Sequence, residues 1–286
     1  MVQQNITNAD TGAQTAGSQE QSQTEEKLKV KARPELSPAQ WGTAPVILLR
    51  GLAREQQHWG AFPQLLQQQI SQPVYCVDLP GMGQHYLQRS PASLCGILTL
   101  VRRQLRQIEG PYHLLAMSFG AMLAMRFAEL YPAEVLSLLL INSSAGDLTP
   151  FYQRLKWQSY PAVLAALCGS IAQREQLILQ LTSNKAQVRQ AHYAGFVELA
   201  RQRPVSRSNA LRQLWAASHF VLPDKPGCKV LLLGSRHDRL VDISASQQMA
   251  QRWQVPLLLH QSAGHDLALD DPDWLLQQAV RFYQAP

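Results

Sequence analysis

The chain has little that would mark a metalloprotein, a nucleotide binder or a membrane protein. Its four cysteines, Cys76, Cys95, Cys168 and Cys228, show no metal-ligand spacing. Cys76 and Cys228 lie in or at the start of apolar runs, where cysteine serves as a small hydrophobe. The four therefore read as reduced thiols, and a cytoplasmic location is expected. No run approaches the roughly eighteen uninterrupted apolar residues that a membrane helix needs, so a soluble protein without a membrane span is expected. The start of the chain lacks the basic, apolar and small-residue succession of a secretory signal. Glycines 81 and 83 in Asp78-Leu79-Pro80-Gly81-Met82-Gly83 lack dinucleotide-binding spacing and the lysine of a phosphate loop. No cofactor and no metal are expected. The net charge is +6, but the arginines are scattered: Arg102, Arg103 and Arg106 in one segment, Arg201, Arg203 and Arg207 in another. Aromatics do not interleave with them, so they read as solvated helix faces and no nucleic-acid partner is expected.

What is present is a core-forming chain behind an unusual start. Met1–Glu26 is rich in Gln, Thr, Ser, Ala and Gly, with Val2 and Ile6 as its only large aliphatics. Such a segment cannot bury enough apolar surface to offset its ordering entropy, so residues 1–40 are expected to be a disordered tail and linker. The short basic run Lys27–Arg33 within it reads as linker. Beyond it, short apolar runs alternate with helical patterns, the first of them expected to include Trp59–Ile70. The runs are Pro45–Leu49, Val74–Leu79, Tyr112–Ala116, Val135–Ile141, Lys229–Leu233 and Val255–Leu259. Strands alternating with helices imply a mostly parallel, doubly wound α/β sheet with helices on both faces. The alternation stops over residues 146–222. Only helices are expected there, near Tyr160–Gln173, Arg174–Leu181, Lys185–Arg203 and Arg207–Phe220. The expected division is a first core part at 41–145, a helical insert at 146–222 and a second core part at 223–286.

The most informative stretch is Tyr112–Pro132, YHLLAMSFGAMLAMRFAELYP. Its beginning has the length and composition of a buried strand. From Phe119 the apolar residues recur at helical spacing until Pro132. Ser118 stands at the junction, with Ala116 and Gly120 two residues to either side. A strand that turns directly into a helix is crowded, so its flanking residues must be small. The turn strains the serine and exposes its hydroxyl above the sheet, with the helix N-terminus behind it.

This stretch resembles the G-x-S-x-G nucleophile elbow of the α/β-hydrolase superfamily, with Ala116 where the family has its first glycine. A serine hydroxyl is a poor nucleophile until a base takes its proton, and the base needs a third group to hold its tautomer. In the family these partners follow in the order acid, then histidine, from later strand ends. Here Gly234-Ser235-Arg236-His237-Asp238-Arg239-Leu240-Val241 follows one apolar run, and Ser262-Ala263-Gly264-His265-Asp266 follows the last. The resemblance assigns Ser118 as nucleophile, Asp238 as orienting carboxylate and His265 as general base and acid. His237 reads as a bystander and Asp266 as a loop-orienting acid. Asp270 and Asp271, before Pro272, read as helix N-terminal acids.

A tetrahedral intermediate also needs two backbone donors. One is expected from the N–H of Phe119. By resemblance to the family's His-Gly-x turn, the other comes from Leu52 in Arg50-Gly51-Leu52. Arg50 departs from the usual histidine. Its guanidinium either pairs structurally with nearby groups or holds an acidic group of the substrate.

The resemblance implies the α/β-hydrolase fold, with a helical cap inserted late in the sheet. It further implies a cofactor-independent serine hydrolase that acts on a small-molecule carboxylic ester or thioester through an acyl-enzyme on Ser118. Superfamily members that cleave haloalkanes or epoxides carry a carboxylate at the elbow, so Ser118 disfavours those reactions. The same triad could serve carbon–carbon hydrolysis, lactone opening or acyl transfer. From another class, a non-catalytic ligand-binding protein on this scaffold stays open. The cap's apolar lining would decide among these reactions; Phe151, Tyr152, Trp157, Tyr160, Tyr193, Phe196 and Trp215 are candidates for it, though most of them read as cap core rather than substrate contacts.

Overall fold

A computed structural model describes residues 38–284, so the expected tail lies almost wholly outside the described residues. A short helix, Pro38–Thr43, leads into the first strand. The sheet has six strands: β1 (Val46–Leu49), β2 (Val74–Val77), β3 (Tyr112–Met117), β4 (Val135–Ile141), β5 (Lys229–Ser235) and β6 (Leu257–His260). Their order is β2-β1-β3-β4-β5-β6, and every pairing is parallel. Helices α1 (Phe62–Gln69), α2 (Leu94–Leu105) and α3 (Phe119–Leu130) make the early crossovers. Helices α4 (Tyr160–Cys168), α5 (Ile171–Thr182), α6 (Ala186–Gln202) and α7 (Arg207–Ser218) intervene between β4 and β5. Helices α8 (Ile243–Trp253) and α9 (Pro272–Gln284) complete the chain.

The strands read as continuous apolar runs because both sheet faces are covered. Side chains alternate across the sheet. Ile47, Leu49, Leu114, Ala116, Leu138 and Leu140 pack with residues of α2, α3 and α8. Val46, Leu48, Leu115, Met117, Leu139 and Ile141 pack with residues of α1 and α9 on the opposite face. This is the doubly wound α/β-hydrolase architecture. No helix among the described residues is long and apolar enough to cross a membrane.

Three boundaries differ from the sequence reading, each for a local reason. The expected helix Tyr160–Gln173 ends at Cys168, because Ser170 and Gln173 form a capping box that starts α5 at Ile171. The helix expected from Trp59 begins only at Phe62. Gly60, at φ +60°, interrupts it and closes the preceding turn, Gln56–Trp59. The last strand begins after Pro256, whose carbonyl still accepts from the Leu232 N–H.

The strand order reverses between β1 and β3. In an open parallel sheet that reversal leaves a crevice beyond the carboxyl ends of the strands. The loops after β1 and β3 flank it, with Leu49 and Ala116 in register.

Candidate active site

Ser118 sits directly beyond β3 as the residue that caps α3, with φ 55° and ψ −118°. A non-glycine residue held there is strained, and its surroundings enforce the strain. Its N–H donates to the Ile141 carbonyl at 2.8 Å. Its own carbonyl accepts from Ala121 and Met122 N–H groups and from the Ser143 hydroxyl. Gly120 is obligatory: a Cβ there would lie 2.5 Å from the carbonyl oxygens of both Leu49 and Arg50. Ala116 is fully buried and the turn accommodates its methyl group.

The β1 loop closes on the same point. A Cβ on Gly51 would come within 3.3 Å of Ser118 Cβ and 3.7 Å of its Oγ. Leu52 and Phe119 line the same cavity as Ser118 and His265. Among the described residues, neither the Leu52 nor the Phe119 N–H has a protein acceptor.

Asp238 and His265 converge from two other strand ends. His265 Nδ1 lies 2.6 Å from Asp238 Oδ2, and both residues are buried. The other carboxylate oxygen accepts from the Leu240 and Val241 N–H groups, at 2.7 and 3.0 Å, which fixes the carboxylate's orientation. Arg239 is turned away and donates to the Gln180 carbonyl, and His237 is exposed. Asp238 thereby holds Nδ1, while Nε2 of His265, which lines the cavity, has no hydrogen-bond partner among the described residues. Among the described residues the Ser118 hydroxyl makes no hydrogen bond, so the serine–histidine contact is not formed in this structure. Such contacts often tighten only once substrate is bound.

The loop carrying His265 is clamped from four directions. Asn142, at φ 48°, donates to the His265 carbonyl at 2.7 Å and exchanges hydrogen bonds with Ser235. Asp270 accepts from the Gly264 N–H at 2.6 Å and from Ser183 and Asn184. The Asp266 N–H donates to the Thr182 carbonyl at 2.7 Å. Asp266 itself takes a two-pronged ion pair from Arg50, with distances of 2.5 and 3.2 Å. Asp270 is thus a buried loop clamp rather than a helix N-terminal acid. Asp271 does play the expected part, accepting from the Trp274 N–H.

The Arg50 guanidinium packs over the Trp59 ring at 4.7 Å and donates to Met117 Sδ as well as to Asp266. Its charge is neutralised inside the protein, so of the two roles expected for it the structure supports the structural pair. That pair ties the Leu52 loop to the His265 loop.

Around the site, the β1 loop meets the intervening helices through crossed charges. Arg54 pairs with Glu175 of α5 at 2.5 Å, and Arg203, just beyond α6, pairs with Glu55 at 3.2 Å. His58 sits between them with Nε2 3.0 Å from Arg54 Nη1. Burial, then Arg54 and Arg50, hold its pKa well below the usual histidine value. The neutral ring fits its neighbours, accepting from Arg54. Burial and Asp78 raise the pKa of Glu55 against the pull of Arg203. None of these pairings was evident from the sequence, where Arg54, Glu55 and His58 stand in an unremarkable loop.

The cavity holds about 250 Å³ and is lined mainly by aliphatic side chains, among them Met122, Val163, Leu167, Ile178, Leu199 and Leu214. None of the candidate aromatics whose side chains are described lines it, in keeping with the reading that most are not substrate contacts. Trp157 and Trp215 are exposed, and Phe196 packs against His58 and His192 outside the lining. Tyr152, Tyr160 and Tyr193 are likewise not lining residues, and the Phe151 side chain lies outside the described residues. Aliphatic residues at the same helical spacing face inward instead. Among the described residues no group of three or more His, Cys, Asp or Glu is placed to hold a metal ion.

Comparison with known proteins agrees with this fold. A family profile described as "Alpha/beta hydrolase family" matches residues 46–278. The chain is 25% identical over 250 residues to human monoacylglycerol lipase ABHD6, spanning 79% of this chain and 71% of the relative. Among solved structures, an esterase from Exiguobacterium antarcticum superposes with a TM-score of 0.72 at 16% identity, covering 85% of this chain and 93% of the esterase. The 2-hydroxy-6-oxo-6-phenylhexa-2,4-dienoate hydrolase of Rhodococcus sp. strain RHA1 gives 0.70 at 18% identity, covering 86% and 92%.

Proposed function

Because the chain belongs to the alpha/beta hydrolase family, we propose that it is a serine hydrolase that cleaves a carboxylic ester or thioester through an acyl-enzyme on Ser118. The observation that carries this reading is the buried His265–Asp238 contact of 2.6 Å, at the edge of the cavity that Ser118 also lines. His265 Nε2 takes the Ser118 proton as Oγ attacks the substrate carbonyl. Asp238 holds Nδ1–H and stabilises the imidazolium that results. The oxyanion is met by the N–H groups of Leu52 and Phe119. Collapse of the intermediate expels the alcohol or thiol, which receives the proton from His265. Water, deprotonated by the same nitrogen, then releases the acid and restores the serine.

In this reading the helices between β4 and β5 act as a cap at residues 146–222, set between core parts at 41–145 and 223–286. The aliphatic lining supports an acyl group that is apolar and small to medium in size. Arg50, which also borders the cavity, serves as a positioning residue whose pairing with Asp266 holds two loops in register. The experiment is turnover of p-nitrophenyl esters of increasing chain length by the wild type and by Ser118→Ala. The account expects turnover by the wild type and a loss of at least about 10³-fold in the variant. Equal turnover by pure variant protein would remove the acyl-enzyme route.

A further inference from the structure

Helix α4 reads YPAVLAALC, an almost wholly apolar nine-residue segment. A helix that is apolar all round belongs in an interior. Here only one side is covered: Val163, Ala166 and Leu167 line the cavity, while Pro161, Leu164, Ala165 and Cys168 face solvent. Helix α7 repeats the arrangement, with Ala210 and Ala217 toward the cavity and Leu211 and Trp215 outward. Leu164 is 62% exposed, Trp215 60% and Leu211 52%. The two helices are joined where Arg207 of α7 donates to the Cys168 carbonyl of α4 at 3.0 Å. Leu214 belongs to both sets, since it lines the cavity and is also 36% exposed. The cavity therefore reaches the surface beside these outward apolar side chains.

The charge of the same region is one-sided. Residues 151–220 contain nine Lys or Arg against two Glu, a net +7, which leaves the rest of the chain at −1. Both glutamates are already engaged, Glu175 with Arg54 and Glu198 with Arg201. Arg207, at the rim, is exposed, and Arg212 lies on the same helix. Arg203 and Lys156 pair with acids outside the segment, Glu55 and Asp242, but Arg207 and Arg212 have no ion-pair partner among the described residues. Apolar side chains beside such cations match an interface of acyl chains beneath anionic headgroups. A water-soluble partner would have to offer that combination on its own surface.

We propose that the outer face of α4 and α7 docks on an anionic lipid surface, with the cavity mouth turned toward it. Leu164, Leu211 and Trp215 enter the acyl boundary while Arg207 and Arg212 meet the headgroups. Given the hydrolase reading proposed above, on which this step rests, the substrate is an amphiphilic ester drawn from that surface, its acyl chain passing Leu214 into the aliphatic cavity.

The test uses the full chain carrying Ser118→Ala, so that binding is read without turnover. It is mixed with vesicles of phosphatidylcholine alone, or of phosphatidylcholine with about one third phosphatidylglycerol, and separated by flotation. Binding to the anionic vesicles is expected to exceed binding to the neutral ones by at least about tenfold and to weaken with salt. Leu164→Gln with Trp215→Gln should reduce it about tenfold or more. The same double substitution in the wild type should leave hydrolysis of a soluble short-chain ester unchanged, because neither residue lines the cavity. Arg212→Gln should cost about fivefold on anionic vesicles only. Equal binding to both vesicle types, or binding to neither, overturns the proposal. So does a wild-type dimer that the Leu164/Trp215 variant converts to monomer without any vesicle binding, which assigns the face to a second copy. Vesicle binding without esterase activity in the wild type would instead sink the hydrolase reading and leave the docking face standing.

Discussion

Replacing Arg50 with methionine strips a buried carboxylate of its only ion-pair partner among the described residues. Arg50 and Asp266 side chains are 3% and 4% exposed, and they meet through two hydrogen bonds. Removing one member of such a pair strands the other charge, which costs about 3–5 kcal/mol. At about 2–4 °C per kcal/mol for a chain of this size, Arg50→Met should lower the melting temperature by about 10 °C. Asp266→Leu alone should cost a similar amount, because it strands the guanidinium over Trp59. The double variant should recover most of the loss, since apolar groups of similar volume replace an ion pair at little net cost. A thermal-melt double-mutant cycle reads the coupling directly. The catalytic consequence is separable. The charge is already neutralised in the folded protein, so Arg50→Met should lower kcat about 10–100-fold through displacement of the Leu52 and His265 loops. It should change KM for neutral and carboxylate-bearing esters alike. A KM rise confined to carboxylate-bearing esters, with little change in stability, would refute the reasoning and return Arg50 to substrate binding.

Two further outcomes follow from the same loops. Asn142→Ala leaves the Ser235 N–H and the His265 carbonyl without partners and places alanine at a positive φ; it should destabilise by about 2–4 kcal/mol and reduce kcat, read by calorimetry and steady-state kinetics. An unchanged melt and unchanged turnover would show that Asn142 holds nothing. His58 is kept neutral in the folded protein, so its pKa is depressed relative to the unfolded chain. Its contribution is present above the unfolded value, near 6.5, and is lost as pH falls below it, by up to about 1.4 kcal/mol per pH unit. The raised pKa of Glu55 works in the opposite sense in a lower window, from about 4.5 upward. Denaturant titrations from pH 7.5 to 5.5 should therefore show stability falling in the wild type and a shallower slope in His58→Gln. Equal slopes would mean that the ring charges freely in the native state.

The sheet was legible because its signal is local. Val135–Ile141 is apolar apart from Ser137, and Lys229–Leu233 is apolar after Lys229, as suits short strands covered on both faces, and the structure has strands there. The elbow was legible for the same kind of reason: Ala116 and Gly120 are small because a Cβ at Gly120 would strike two carbonyl oxygens. What stayed hidden depends on distant segments meeting. Nothing near Arg54 announces Glu175, which is 121 residues away. Arg50 allowed two readings until Asp266 was found opposite it, 216 residues on. Asp270 lies next to a proline and so looked like a helix acid, while its burial and its bond to Gly264 come from tertiary packing. The aromatics of the helical segment misled because size suggests core. Several face outward, and aliphatic residues line the cavity.

The most direct test is to expose the intact protein to a fluorophosphonate probe, then measure the mass increase and map the labelled peptide. The account predicts one adduct per chain, carried by Ser118, with labelling suppressed in His265→Ala. An active, folded enzyme that hydrolyses esters while Ser118 stays unlabelled would contradict it.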